Sequence, residues 1–234
     1  MLATGYCSGT ESAEQLFVPS YDRRKGEKQV NKLQEHTLEI LCQQVIKRIC
    51  VEMEASGRHV HVTKMQAQQL FGHDLTPSRE LSQPGQYLAK ERVTIIGPKG
   101  KFENVAVLGP ARGEAQVEIS LSDGRVLGIK PPVRLSGSVK DTPGITIRGE
   151  KCEITIDHGV IAAQRHIHMT PEDAKRFGVS DKQVVRLETY TDRPLVFGDT
   201  VVRVSPDFQT RVHLDFDEAN ACGFCDGDLG RIIV

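Results

Sequence analysis

Arg165-His166-Ile167-His168-Met169-Thr170 nearly repeats Arg58-His59-Val60-His61-Val62-Thr63, which lies 107 residues earlier. The correspondence continues past the histidines. Thr63 and Thr170, Ala67 and Ala174, and Leu70 and Phe177 fall at matching offsets from the first histidine of each copy. Each copy reads as a strand carrying His-x-His, then a threonine that starts a short helix. Alternate side chains of a strand share a face, so His59 and His61 project together, as do His166 and His168. Two imidazoles on one face can share one zinc ion, with Zn–N distances of about 2.0–2.1 Å. Eight histidines scattered over 234 positions would give roughly a quarter of one such pair by chance, and here there are two in matching context.

The segments around the two copies read mostly as strands. Thr63-Lys64-Met65-Gln66 has capping-box form, which predicts a helix to about Phe71 that stops near Gly72. From there to the second copy no helical periodicity is evident. Val93–Gly100, Val105–Pro110, Ala115–Ile119 and Gly144–Gly149 read as short strands cut by Gly/Pro turns, the pattern of a barrel or sandwich. Ile95-x-Gly97 and Ile147-x-Gly149 echo one another. The second His-x-His strand spans Ile161–Met169, Pro171 opens a helix after Thr170, and Asp173 completes a weaker capping box. Val184–Thr189, Leu195–Phe197, Val201–Val204 and Val212–Asp215 resume the strand pattern, and a terminal helix begins at Asp217. The fold expected is mainly β: two β-barrel-like domains related by internal duplication, with short capping helices and an N-terminal helix. Residues 55–155 and 156–234 form the two halves, with strands free to be traded between them. Residues 1–54 hold a polar tail and an amphipathic helix.

That helix is predicted from Val30 to Glu54. Leu38, Leu41, Val45 and Ile49 recur at helical spacing, Cys42 and Ile46 widen the stripe, and Glu35, Glu39, Gln43, Lys47 and Arg48 take the other side. Such a stripe packs on its own domain or a second subunit, so a homo-oligomer is expected; the sharper reading is a docking helix for a larger assembly. The tail at 1–29 is polar apart from Leu16-Phe17-Val18. A net charge of −1 without a long basic run, and 5% aromatics without tryptophan, argue against nucleic acid. No apolar run approaches membrane-spanning length, and the start has neither the charged nor the apolar region of a signal peptide. Six scattered cysteines in a chain of this size indicate free thiols in a reducing cytoplasm.

Two histidines do not complete a zinc site, because catalytic zinc usually keeps three protein ligands and one open position. His213 is the best third ligand for one metal, since it lies in a strand with Asp215 on its own face and Val212 and Leu214 on the other. For the second, Arg112, Glu114, Gln116 and Glu118 form one polar face opposite Ala115, Val117 and Ile119. Arg112 and Glu118 would lie about 20 Å apart if fully extended. Both can serve one site only if the chain bends, which Gly113 permits. By the same alternation Arg58 and Arg165 face away from their histidines, and their repetition reads as structural. His36, His73 and His158 read as surface residues, and Cys222-Gly223-Phe224-Cys225 as a lone pair of weak metal or redox significance.

Six motifs in order resemble one family. They are Ser56-Gly57-Arg58-His59-Val60-His61, Leu81-Ser82-Gln83-Pro84-Gly85-Gln86, Leu108-Gly109-Pro110-Ala111-Arg112, Gln116-Val117-Glu118-Ile119-Ser120, Arg165 through Ala174, and Asp217-Glu218-Ala219-Asn220-Ala221. Together they resemble the PduL-type phosphate propanoyltransferases, phosphotransacylases associated with bacterial microcompartments and propanediol degradation. The resemblance covers residues 50–223. It implies a two-barrel fold with a dinuclear zinc site at the junction, one zinc held by His59, His61 and Glu118 and the other by His166, His168 and His213. It further implies that Arg112 binds phosphate, that Ser56 and Asn220 contact coenzyme A, and that the protein resides in the cytoplasm within a microcompartment, near shell or lumen proteins. Members often carry an N-terminal amphipathic targeting peptide, and 1–29 holds no clean amphipathic helix.

The reaction implied converts acyl-CoA plus phosphate to acyl phosphate plus CoA, by direct transfer. The motifs hold no serine or cysteine nucleophile. Two other readings use the same residues: a dinuclear zinc hydrolase of thioesters or phosphoesters, and a metal-stapled structural protein of an assembly.

Overall fold

The computed structural model describes residues 23–234. The expectations for 1–22, including Leu16-Phe17-Val18, lie outside the described residues. The chain divides into two units, Met1–Val45 and Ile46–Val234. Helix α1 (Arg23–Ile49) starts earlier and ends sooner than its periodicity predicts. Its stripe residues Leu38, Leu41, Val45 and Ile49 are all exposed. Cys50–Glu54 is strand, not helix. Cys50, Val51 and Met53 fit a helical stripe and an alternating strand equally well, and the pairing of strand β1 (Cys50–Ser56) on both sides decides the matter.

The second unit continues through strand β2 (His59–His61), helix α2 (Lys64–Phe71), and strands β3 (Pro77–Glu80), β4 (Tyr87–Ile96), β5 (Lys101–Gly109) and β6 (Gln116–Glu118). Helix α3 (Leu121–Leu127), strands β7 (Val133–Arg134), β8 (Ile145–Arg148), β9 (Glu153–Ile156), β10 (Val160–Ala163) and β11 (His166–Met169), and helix α4 (Pro171–Phe177) follow. Strands β12 (Val184–Tyr190), β13 (Val196–Val204) and β14 (Arg211–Asp215), helix α5 (Phe216–Cys222) and strand β15 (Leu229–Ile233) complete the chain. Six strands close into a barrel in the order β1-β14-β11-β13-β12-β15. The others form an open half-barrel, β7-β10-β6-β2-β5-β4-β8-β9, with β3 on the side of β4. Among the described residues no helix is long and apolar enough to cross a membrane.

The duplication extends to the hydrogen-bond pattern. In the half-barrel, β2 lies parallel to β5 and antiparallel to β6; in the barrel, β11 lies parallel to β13 and antiparallel to β14. The strand before each His-x-His crosses to the other half. β1 pairs in parallel with β14, placing Glu54 opposite His213, and β10 pairs in parallel with β6, placing Ile161 opposite Glu118. The expected single strand Ile161–Met169 is therefore two strands in different sheets, broken at Gln164-Arg165. Val60 belongs to one apolar core and Ile167 to the other, so each sheet keeps its own interior while the histidines take the opposite face.

Helix α2 has its capping box and Gly72 in the left-handed conformation at φ 83°. At α4, Thr170 caps the Asp173 amide, but the Asp173 carboxylate does not reach back; it is held by Thr210 and Arg176 instead. Helix α3 carried no periodic signal because Gly124 sits mid-helix. A Cβ there would lie 2.6 Å from Pro131 Cδ and 2.7 Å from the Ile129 carbonyl, so close packing demands the residue that disguises the helix.

Candidate active site

Pairing of β2 with β6 sets His59 opposite Glu118, and pairing of β11 with β14 sets His166 opposite His213. Glu118 Oε1 lies 3.6 Å from His59 Nε2. The His166 and His213 rings stack with centroids 5.0 Å apart and planes within 4°. His61 and His168 complete the two groups, and the donor atoms within each group lie within 4.8 Å of one another. His168 Nδ1 and His213 Nε2 are 3.1 Å apart. Both groups line one cleft of about 490 Å³ between the two halves, together with Arg112, Ser56 and Arg203.

The orientation of the rings is set by carbonyls, which can only accept. His59 Nδ1 donates to Gly57 O at 2.8 Å, His166 Nδ1 to Gln164 O at 2.8 Å, and His61 Nδ1 to Leu108 O at 3.2 Å. Each Nδ1–H is thereby committed to a carbonyl and Nε2 is left as the atom for a metal, the arrangement that orients metal-binding histidines. Burial, aided by neighbouring cationic groups, lowers the pKa of His61, His166, His168 and His213. Burial first, then the His59 charge, pushes the His61 pKa down to about 2, and burial with His166 pushes His168 down to about 3. His213 is pushed well down and His166 down, burial being the main cause in each. Burial also works against the His59 charge, but Glu118 outweighs it and raises the pKa; burial favours protonated Glu118, but His59 outweighs that and holds the carboxyl well below its usual range. The first group thus sets a carboxylate against an imidazole whose pKa it raises, beside the neutral His61, and the second is three imidazoles whose pKa values are all lowered. Both donor sets fit a divalent transition metal with an open position.

The bend needed to bring Arg112 and Glu118 together exists. Only Gln116–Glu118 is strand, and the chain before it turns back so that the Arg112 amide donates to Val62 O at 2.9 Å. Arg112 Nη1 donates to Ser136 Oγ at 3.2 Å, and Gln116 donates to Ser136 Oγ at 2.8 Å and to Glu118. The Gln116 carbonyl in turn accepts from the Gly137 amide at 2.7 Å. One amide side chain therefore braces both a candidate ligand and the loop that holds the arginine. Burial lowers the Arg112 pKa, and Glu118 opposes the shift. Asn220 is exposed on α5 and does not line the cleft, unlike Ser56.

The residues 52–225 match the family model for phosphate propanoyltransferase. The chain is 50% identical over 201 residues to the phosphate propanoyltransferase of Enterococcus faecalis, a match that covers 82% of this chain and 95% of the relative. It is 50% identical over 205 residues to that of Clostridioides difficile, covering 85% and 98%, and 44% identical over 192 residues to that of Salmonella typhimurium, covering 78% and 91%. The chain belongs to the phosphate propanoyltransferase family.

In this phosphate propanoyltransferase homologue, the arginines that precede each His-x-His make equivalent clamps. Arg58 donates to Asp123 at 2.7 and 3.0 Å, with its guanidinium 4.2 Å from the Phe102 ring centroid. Arg165 pairs with Glu218 and lies over Phe197. Asp123 and Glu218 are the third residues of α3 and α5, so each clamp ties a histidine strand to a helix start. Motif reading passed over Arg203, Ser136 and Gln83. Gln83 lies in a quoted motif, bonds the Gln209 backbone in both directions and reaches to 3.4 Å from His213 Nε2. Arg203 and Ser136 carry no local signal, since strand pairing and a loop crossing bring them in. His36 and His73 are exposed, and His158 is half-buried. Cys222 is buried and Cys225 exposed, both as free thiols.

Proposed function

We propose that the protein transfers a short acyl group, propanoyl or similar, from coenzyme A to inorganic phosphate, reversibly, at two zinc ions held by His59, His61 and Glu118 and by His166, His168 and His213. The observation that carries this reading is a single cleft holding two three-donor groups and the Arg112 guanidinium. Bound zinc would supply Lewis acidity, polarising oxygen and stabilising negative charge.

The side chains do the rest. Arg112, held by Ser136, presents planar N–H donors matched to a phosphate oxyanion. Held there, phosphate has one oxygen free to attack the thioester carbonyl; the C–O bond forms as the C–S bond breaks. Proximity replaces a bimolecular encounter. The departing thiolate belongs to a thiol with pKa of about 8.5, so no strong general acid is needed. Ser56, at the end of β1 on the cleft wall, would contact the coenzyme, and Asn220, exposed on α5 outside the cleft lining, would reach only the part of the coenzyme that extends beyond it. The family resemblance supports residence within a bacterial microcompartment beside shell or lumen proteins, the scattered free cysteines support a cytoplasmic setting, and the exposed apolar stripe of α1 supports a homo-oligomer.

The test is CoA release from propanoyl-CoA by the purified protein, with and without phosphate, before and after chelation. Release that needs both phosphate and metal supports the transferase. Release without phosphate indicates hydrolysis, and no release from metal-loaded protein indicates a structural role.

A further inference from the structure

The two halves differ at one position that the duplication should make equivalent. In the half-barrel, β5 runs beside β2 with Ala106 opposite His59 and Val107 opposite Val60; the next residue, Leu108, accepts the His61 Nδ1 hydrogen bond. In the barrel, β13 runs beside β11 with Val201 opposite His166, Val202 opposite Ile167 and Arg203 opposite His168. Arg203 thus takes the place of Leu108, and both line the cleft.

No carboxylate lies in ion-pair range of Arg203 among the described residues, although Glu118 and Asp181 favour its charge from farther away. Arg203 is half-buried, and among the described residues it makes neither an ion pair nor a hydrogen bond. Its guanidinium lies over the Phe208 ring, 5.7 Å to the centroid, and that ring lies 4.2 Å from the His168 ring. The nearby Arg112 has a serine hydroxyl for a partner and also lacks a carboxylate in ion-pair range. Burial lowers the pKa of both guanidinium groups, and the charge on Arg203 lowers that of Arg112 further. Glu118 opposes the shift at both, but one carboxylate set between two partly desolvated guanidinium groups leaves positive charge that a bound anion would offset. Arg58, by contrast, has its charge satisfied by Asp123.

We propose that Arg203 is a second phosphate-binding residue, gripping the transferred phosphate group from the barrel side while Arg112 holds it from the half-barrel side. This rests on the transferase reading above. Coenzyme A also carries phosphates, and the geometry favours the transferred group because Arg203 stands at the register position of a candidate metal ligand. A second guanidinium would let the site favour a phosphate dianion over neutral water, since two cations with fixed donor forks match its charge and its oxygens.

The experiment compares wild type, Arg203→Met and Arg203→Lys as metal-loaded proteins, with metal content and thermal unfolding checked for each. Inorganic phosphate binding is measured by calorimetry, and KM is measured separately for phosphate, propanoyl-CoA and propanoyl-pantetheine, which lacks the nucleotide phosphates. Loss of one charge-assisted contact should weaken phosphate binding and raise KM for phosphate about 10–100-fold in Arg203→Met. Arg203→Lys should recover part of that loss, while KM for both thioesters stays within about twofold. A raised KM for propanoyl-CoA alone assigns Arg203 to the coenzyme's phosphates and overturns the proposal, as does an unchanged phosphate affinity. Should Arg203→Met not fold, phosphate binding by Arg203→Lys equal to that of wild type overturns it. If the wild type shows no phosphate-dependent turnover, the transferase reading fails. The calorimetry then still decides whether Arg203 holds phosphate.

Discussion

Glu118 occupies, opposite His59, the place that His213 occupies opposite His166. Duplication has therefore left two candidate metal-binding groups that differ by one charge, a carboxylate in the first and an imidazole in the second. The first group can offset one positive charge of a divalent ion and the second cannot.

Removing a donor from either group should remove one metal. Glu118→Gln and His166→Ala are each expected to bind one metal equivalent per chain where wild type binds two. Turnover should fall on the order of 10²–10³-fold, the several kcal/mol that metal-assisted charge stabilisation supplies. Elemental analysis of the purified variants beside the CoA-release assay checks this. Two equivalents retained in either variant would contradict the ligand assignment.

Arg112 should matter to phosphate and not to folding. Arg112→Ala is expected to lower kcat/KM for phosphate by about 10²-fold with an unfolding midpoint close to wild type, and Arg112→Lys should restore only part of it because a point charge lacks the planar fork. Steady-state kinetics at varied phosphate gives the answer. A fully active Arg112→Ala protein would remove the residue from the mechanism.

The clamps of Arg58 and Arg165 should behave oppositely. Arg58→Met leaves Asp123, which is 6% exposed, without its ion-pair partner and should cost about 1–3 kcal/mol in urea unfolding. Arg165→Met should cost somewhat less, because Glu218 is more accessible. A variant of either kind with wild-type stability would show that the repeated arginines serve another purpose.

Metal-stripped protein should lose stability in mild acid. His61 and His168 are held neutral in the fold, with pKa values of about 2 and 3, against about 6.5 when unfolded. Below pH 6.5 the unfolded chain takes up protons that the folded one refuses, so stability falls as pH drops from about 6.5 toward 3. His59, raised by Glu118, contributes in the opposite sense: its share is fully present below pH 6.5 and is lost as pH rises through its folded pKa. Urea midpoints at pH 7.5, 6 and 5 should decline on balance, since four of the five candidate histidine ligands are lowered and one is raised. A midpoint that rises on acidification would contradict the buried neutral imidazoles.

Gly97 and Gly149 end the two echoing strand segments against helices. A Cβ on Gly97 would lie 2.3 Å from the Leu127 carbonyl oxygen, and one on Gly149 2.5 Å from that of Leu70. Both obstacles are backbone, so Gly97→Ala and Gly149→Ala should each destabilise by about 1–3 kcal/mol. Thermal unfolding of the two single variants measures this; a neutral substitution at both would mean that the helices have room to shift.

What could be read along the chain was whatever depends on local spacing. His-x-His places two rings on one face because side chains alternate in any strand. Thr63 with Gln66 starts α2 because a threonine hydroxyl reaches the amide three residues on. The matching offsets after His59 and His166 exposed the duplication, since both copies meet the same local demands. Spacing misled where two periods fit the same residues, as at Cys50–Glu54, or where a packing glycine interrupted a helix, as at Gly124 in α3. The exchange of β1 and β10 between the halves, the turn that returns Arg112 to Val62, and the arrival of Arg203 beside His168 carry no local signature. Each is set by which backbone N–H and C=O groups find partners across long separations, so the chain supplied the donors and tertiary pairing alone made them one cleft.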